Sequence, residues 1–155
     1  MVALTSTIPA VKIALVALLR AELDLPVDYA WPGPAAAPEA VFLGRHPQLD
    51  DIRIDGDSTI PTMKAGRKQR AEDYIVPVTC WTFRPELTAA DAQTCEVRAF
   101  TIAAAVENVL ADDPKLGVDG LVAAQVNDLT STLFPFERGW ACELVLDVRV
   151  QARLQ

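Results

Sequence analysis

Residues 91–112 (DAQTCEVRAFTIAAAVENVLAD) constrain the fold more than any other stretch. Ala92, Cys95, Ala99, Ile102, Val106 and Val109 recur at spacings of three and four, which puts them on one stripe of an amphipathic helix. Such a stripe must be covered by an apolar surface, and the chain supplies one downstream. Trp140, Cys142, Leu144, Leu146, Val148 and Val150 alternate with Ala141, Glu143, Val145, Asp147, Arg149 and Gln151, the period-two pattern of a long strand. Together they predict an α+β domain in which a long helix packs on a mainly antiparallel sheet.

The preceding chain adds a second helix and most of the strands. Thr7 ahead of Ile8-Pro9 predicts a helix start, with a hydroxyl placed to cap and proline in the first turn, where a missing N–H costs nothing. The helix should run to about residue 22 or 23. Ile8, Val11, Leu15 and Leu18 form its inner stripe. Ile13, Val16 and Ala17 leave a second, weaker apolar face, which makes Ile13 and Val16 candidate subunit contacts; the alternative is a helix buried on both sides within one copy. Pro26 ends the helix, residues 27–31 are extended, and WPGPAAAP can be neither helix nor inner strand. Residues 39–44 (EAVFLG) form a strand with Val41 and Leu43 on one side and Phe42 on the other.

Ile52 and Ile54 predict a third strand at 51–55, followed by a long loop over 56–70, because Gly56, Pro61 and Gly66 break any longer element. Lys64, Arg67, Lys68 and Arg70 gather there in an otherwise acidic chain, either as a solvated tip or as a contact for an acidic surface. Residues 74–83 (YIVPVTCWTF) form a strand with Tyr74, Val76, Val78 and Cys80 on one side and Ile75, Pro77, Thr79, Trp81 and Phe83 on the other. Pro77 cannot donate to a ladder, so an edge or a bulge is expected. An edge strand with two apolar faces needs a cover, and Ile75 and Trp81 are the candidate contacts for a neighbouring copy. Thr88 caps the main helix, which ends before Pro114. Residues 121–132 form a strand with Val122, Ala124 and Val126 inward, and 135–139 turn the chain into its last strand, closing a C-terminal hairpin. The predicted order is α-β-β-β-β-α-β-β.

At 155 residues the chain fits one domain, 1–155. Its formal charge of -7 argues against a DNA-coating role, which needs a basic face. Cys80, Cys95 and Cys142 form no CxxC pair and fall inside predicted elements, as small buried hydrophobes do. The apolar run at 13–19 is bracketed by Lys12 and Arg20 and is too short to span a bilayer. His46 is the only histidine, so neither a nucleophile–histidine unit nor a two-histidine metal site can be built. Asp51, Asp55, Gly56 and Asp57 do not make a calcium loop, because Arg53 occupies the third ligand position and Thr62 stands where the terminal Glu belongs. No catalytic, cofactor-binding or metal-binding residue is assigned, and no cofactor is expected. The scattered Trp31, Trp81 and Trp140 are expected to be core or interface anchors.

The segments TIPAVKIALVALLRAEL, VDYAWPGP, YIVPVTCWTF, ENVLADDPKLG and VAAQVNDLT…CELVLDVRVQARL, in that order, resemble the tail terminator proteins of long-tailed bacteriophages from Thr7 to Leu154. The resemblance implies a non-enzymatic virion protein. Its copies would form a ring, usually a hexamer, that halts tail-tube polymerisation and presents a docking face to the head-tail connector protein. The partners implied are other copies of the chain, the tail tube protein and the connector. Genomic DNA would pass through without specific binding, and no membrane is involved. The place implied is the head-proximal end of the tail, with the host cytoplasm as the site of assembly. Two other readings are a head-closure or connector protein, and a small α+β ligand-binding or accessory domain marked by a deep apolar pocket with converging polar groups.

Overall fold

A computed structural model describes residues 6–33, 37–44, 56–64 and 67–154, with backbone alone over 56–64 and 67–70. Its elements are α1 (Ile8–Glu22), β1 (Val27–Asp28), β2 (Glu39–Leu43), β3 (Gly56–Lys64), β4 (Arg67–Arg84), α2 (Ala89–Asp112), β5 (Leu121–Phe136) and β6 (Gly139–Leu154). The fold is α+β. The sheet runs β1-β2-β4-β6-β5, with β3 beside β4 on the side away from β6. It is mixed: β1 pairs β2 in parallel and the other pairs are antiparallel.

Register decides which side chains make the core. Tyr74↔Val150, Val76↔Val148, Val78↔Leu146 and Cys80↔Leu144 face one another across β4 and β6, and all eight are buried. Val41 and Leu43 extend that face onto β2. Onto it α2 lays Ala92, Cys95, Ala99, Ile102, Ala103, Val106 and Leu110, and α1 adds Val11, Leu15, Val16 and Leu19. Each fully buried aliphatic side chain contributes ~1.5–3 kcal/mol, so this one face carries most of the hydrophobic stabilisation.

The helix ends follow their residues. Thr88 Oγ1 accepts from the Asp91 N–H at 3.1 Å, and the Asp91 carboxylate accepts from the Thr88 hydroxyl at 2.7 Å, a local cap on α2. Asp113 then closes the helix ahead of Pro114, as proline requires. Thr7 occupies the N-cap of α1 but makes no side-chain cap bond. Its hydroxyl and its backbone N–H both donate to the buried Glu72 carboxylate of β4, at 2.8 and 2.7 Å, and Ser6 Oγ donates to the same group at 2.6 Å. The acceptor that fixes the start of α1 therefore comes from the sheet.

Three further expectations are corrected. The long loop expected over 56–70 is instead the β3–β4 hairpin, in which Pro61 falls at the register shift between Thr59 and Thr62 and Gly56 at the strand start, both places where a ladder tolerates them. The strand expected at 51–55 lies outside the described residues. β4 is not an edge strand, because it is paired on both sides; Pro77 sits between the end of the β2 register at Leu43↔Val78 and the end of the β3 register at Gly56↔Tyr74. Its carbonyl accepts from Gly44 N–H at 2.8 Å, so its missing donor points toward that same gap. Val122 is exposed rather than inward, since the shift between Leu121 and Ala123 moves the buried positions to Leu121 and Ala124.

Candidate interaction surfaces

The sheet face away from the helices carries the odd-numbered residues of β4 and β6. Phe42, Trp81 and Ala141 are buried there, with Trp31, Phe83, Phe134 and Phe136 packed around them. The rings meet edge to face: Trp81 and Phe136 have centroids 5.3 Å apart at 85°, and Phe83 and Phe136 are 6.1 Å apart at 84°. The tight β5–β6 turn makes this possible. Glu137 takes φ 54°, and a Cβ on Gly139 would stand 1.9 Å from the Arg84 carbonyl oxygen, so only glycine allows the strand to pass so close. Trp31 and Trp81, far apart in sequence, belong to this cluster; Trp140 does not.

The structure separates the candidate contacts of the first helix. Ile13 is 62% exposed on α1, whereas Val16 is 5% exposed and belongs to the core, so the second apolar face contracts to Ile13 and its neighbours. Trp81 is buried by its own chain and Ile75 is half-buried. Two residues that pattern reading did not single out are Val97, 56% exposed, and Phe100, 44% exposed, on the outer side of α2. They were detectable as the large apolar residues that lie off the 92-95-99-102-106 stripe.

Lys64, Arg67, Lys68 and Arg70 fall at the end of the β3–β4 hairpin. Lys64 is in register with Arg67, and Met63 with Lys68. Arg70 is in register with the end of β6 at Leu154. Along the opposite edge, β5 pairs with β6 alone among the described residues, and its residues 127–130 are exposed.

The perturbed groups are structural. Glu39 receives two hydrogen bonds from Arg98, each 2.9 Å, and one from Arg84 at 3.0 Å. The Arg98 fork, helped by Arg84, holds its carboxyl down at about 2. This clamp ties the start of β2 and the end of β4 to α2. Burial pushes Cys80 up to about 12 and Cys142 to about 11, and it raises Cys95 as well, so none is a ready thiolate. Tyr74 is pushed to about 12 by burial, with the nearby Glu72 charge acting in the same direction. A hollow of about 300 Å³ lies at the hairpin end of the sheet. Its two carboxylates are already engaged, Glu72 by Ser6 and Thr7 and Asp73 by Arg149. Among the described residues no three His, Cys, Asp or Glu side chains gather as a metal site, and no helix is long and apolar enough to cross a membrane. His46 and the Asp51–Asp55 part of the calcium-like stretch lie outside the described residues.

No protein-family model matches the chain, and no curated protein matches it in sequence. Among solved structures, a chain described as "Virion of native gene transfer agent (GTA) particle" is similar in fold, with a TM-score of 0.58 and 19% identity over 96% of this chain and 100% of that one. At that identity, what the two chains share is the fold, over nearly all of this chain and the whole of the other.

Proposed function

We propose that the chain is a non-enzymatic structural protein of a phage-type virion and acts as a tail terminator. Its copies close into a ring, with six the expected number, on the last ring of the tail tube. The ring stops tube polymerisation and offers its other face to the head-tail connector. The observation that carries this reading is the end-to-end likeness in fold to a virion chain, which agrees with the resemblance in element order. Two sheet edges with no further strand among the described residues, and Ile13, Val97 and Phe100 on the surface, supply area for contacts between copies. Genomic DNA passes through the ring, and a chain of net charge -7 suits a conduit that must not grip phosphates. The head-proximal end of the virion tail, reached after assembly in the host cytoplasm, is the corresponding location.

Light scattering behind size-exclusion chromatography, followed by negative-stain imaging, tests this. The expected result is an annular particle that, added to polymerising tail-tube protein, fixes tube length. A strict monomer at high concentration, even with tube protein present, refutes it. Capture by the connector complex but not by the tube would reassign the chain to head closure. The engaged carboxylates of the hollow give a small-ligand function no comparable support.

A further inference from the structure

A free strand edge is a template on which another chain can add a strand, and β5 carries one. Residues 137–138 form a two-residue turn, so the pair that flanks it, Phe136↔Gly139, is hydrogen-bonded, and alternate residues back along β5 bond to β6. Thr130, Thr132 and Phe134 therefore turn their backbone groups toward β6. Leu129, Ser131, Leu133 and Pro135 turn theirs outward, where no further strand pairs with β5 among the described residues. Residues 128–134 (DLTSTLF) are β-prone, hold a single charge and contain neither Gly nor Pro, the composition of a segment that pairs readily with its own kind.

The edge is nevertheless interrupted along its length, each time by a different group. Ala124 N–H donates to the Pro114 carbonyl at 2.7 Å, so the loop after α2 covers the start of the edge. The register shift between Val126 and Asp128 then breaks the row of outward groups. Just beyond it, Asp128 Oδ1 accepts from Leu129 N–H at 2.8 Å, in the place where a neighbour's carbonyl would sit. Pro135, also outward, has no N–H to offer. Between Asp128 and Pro135 only Ser131 and Leu133 keep outward N–H groups with no partner among the described residues. We infer that Asp128 and Pro135 are gatekeepers of β5: one occupies the Leu129 donor, the other withholds a donor, and together they keep a second copy of this chain from adding its own strand to the edge. Contacts between copies along β5 are then made by side chains and not by a continuous ladder. The inference stands apart from the ring reading, because it holds for free copies and for copies within a particle alike.

The test uses the full-length chain. Asp128→Ala with Pro135→Thr frees four successive outward donors, at 129, 131, 133 and 135. Association read by light scattering and thioflavin fluorescence is expected to rise ~10-fold or more over wild type. Adding Ser131→Pro removes a donor from the middle of that row and is expected to return association to the wild-type level. Asp128 is also in register with Asp147, so its charge and its hydrogen bond must be told apart. Asp128→Asn in place of Asp128→Ala keeps an acceptor oxygen without the charge and is expected to remove most of the gain. Circular dichroism melts confirm that each variant is folded. Hydrogen exchange of the wild type, followed residue by residue, needs no variant: Thr130 and Thr132 amides should exchange at least ~10-fold more slowly than those of Ser131 and Leu133, before and after assembly. The gatekeeping is overturned by a double variant that associates no more than wild type, by a gain that survives Ser131→Pro, by Asp128→Asn behaving as Asp128→Ala does, or by Ser131 and Leu133 amides as protected as Thr130. Those results leave the ring reading intact, whereas a wild type that stays monomeric overturns the ring reading and leaves the edge assignment standing.

Discussion

Replacing Glu39 by Gln tests the clamp that fixes α2 to the sheet. A carboxyl that titrates near 2 in the folded chain and near 4.5 when released contributes at most ~3 kcal/mol above pH 4.5. Arg98 is two-fifths exposed, so solvent screening brings the expected value to ~1–2 kcal/mol. The sign follows from the depressed folded value: the stabilisation is complete above the unfolded value and is lost as pH falls from about 4.5 toward 2. For a chain of this length the loss at pH 7 corresponds to ~3–6 °C in Tm. Urea unfolding of wild type and Glu39→Gln across this range measures it, because the other carboxylates cancel in the difference. The gap should be constant from pH 7 to about 5 and should shrink to about a quarter of that size by pH 2.5. A missing gap at pH 7, or one just as large at pH 2.5, would refute the account. Arg98→Lys should reproduce part of the loss, since an ammonium cannot make the two-pronged contact.

The remaining predictions concern the core and its caps. Glu72→Ala removes the acceptor of Thr7 N–H, Thr7 Oγ1 and Ser6 Oγ; a loss of ~2–4 kcal/mol with reduced helical ellipticity is expected, and unchanged denaturation would show that the α1 cap matters little. Gly139→Ala drives a Cβ into the Arg84 carbonyl and should cost ~1–3 kcal/mol and weaken the near-ultraviolet signal of the aromatic cluster, both read by circular dichroism. Ile102→Asp places a charge under α2 at a buried position, costs several kcal/mol and should leave no cooperative melt. Iodoacetamide should modify Cys80, Cys95 and Cys142 only after denaturation, as mass spectrometry would show.

What was legible in the sequence was whatever depends on neighbours a few residues apart. The stripe of α2, the sidedness of β2 and β6 and the Thr88 cap all follow from local spacing, and the element order follows from them. The misses share a different cause. Gly56 and Pro61 look like breakers until β4 is in place to show that one stands at a strand start and the other at a register shift. Pro77 looks like an edge marker until β2 and β3 are seen to stop on either side of it. Of the two readings the α1 pattern leaves open, burial within one copy holds at Val16, because a helix can bury a wider arc than a single stripe; Val122 faces outward because one inserted residue reverses a strand's facing.

The same distinction governs the interaction surfaces. The cluster of Trp31, Trp81 and Phe136 and the Glu72 cap join residues that spacing cannot relate. Lys64, Arg67, Lys68 and Arg70 are plain in the sequence, but only the register puts them on the sheet edge opposite β5. On the proposed reading the copies meet through heterologous contacts; if the rotation between neighbours closes, the product is a ring, and if it does not, the same contact gives a filament. Negative-stain images of the assembled particle therefore separate a closed collar from an open polymer built by the same surfaces.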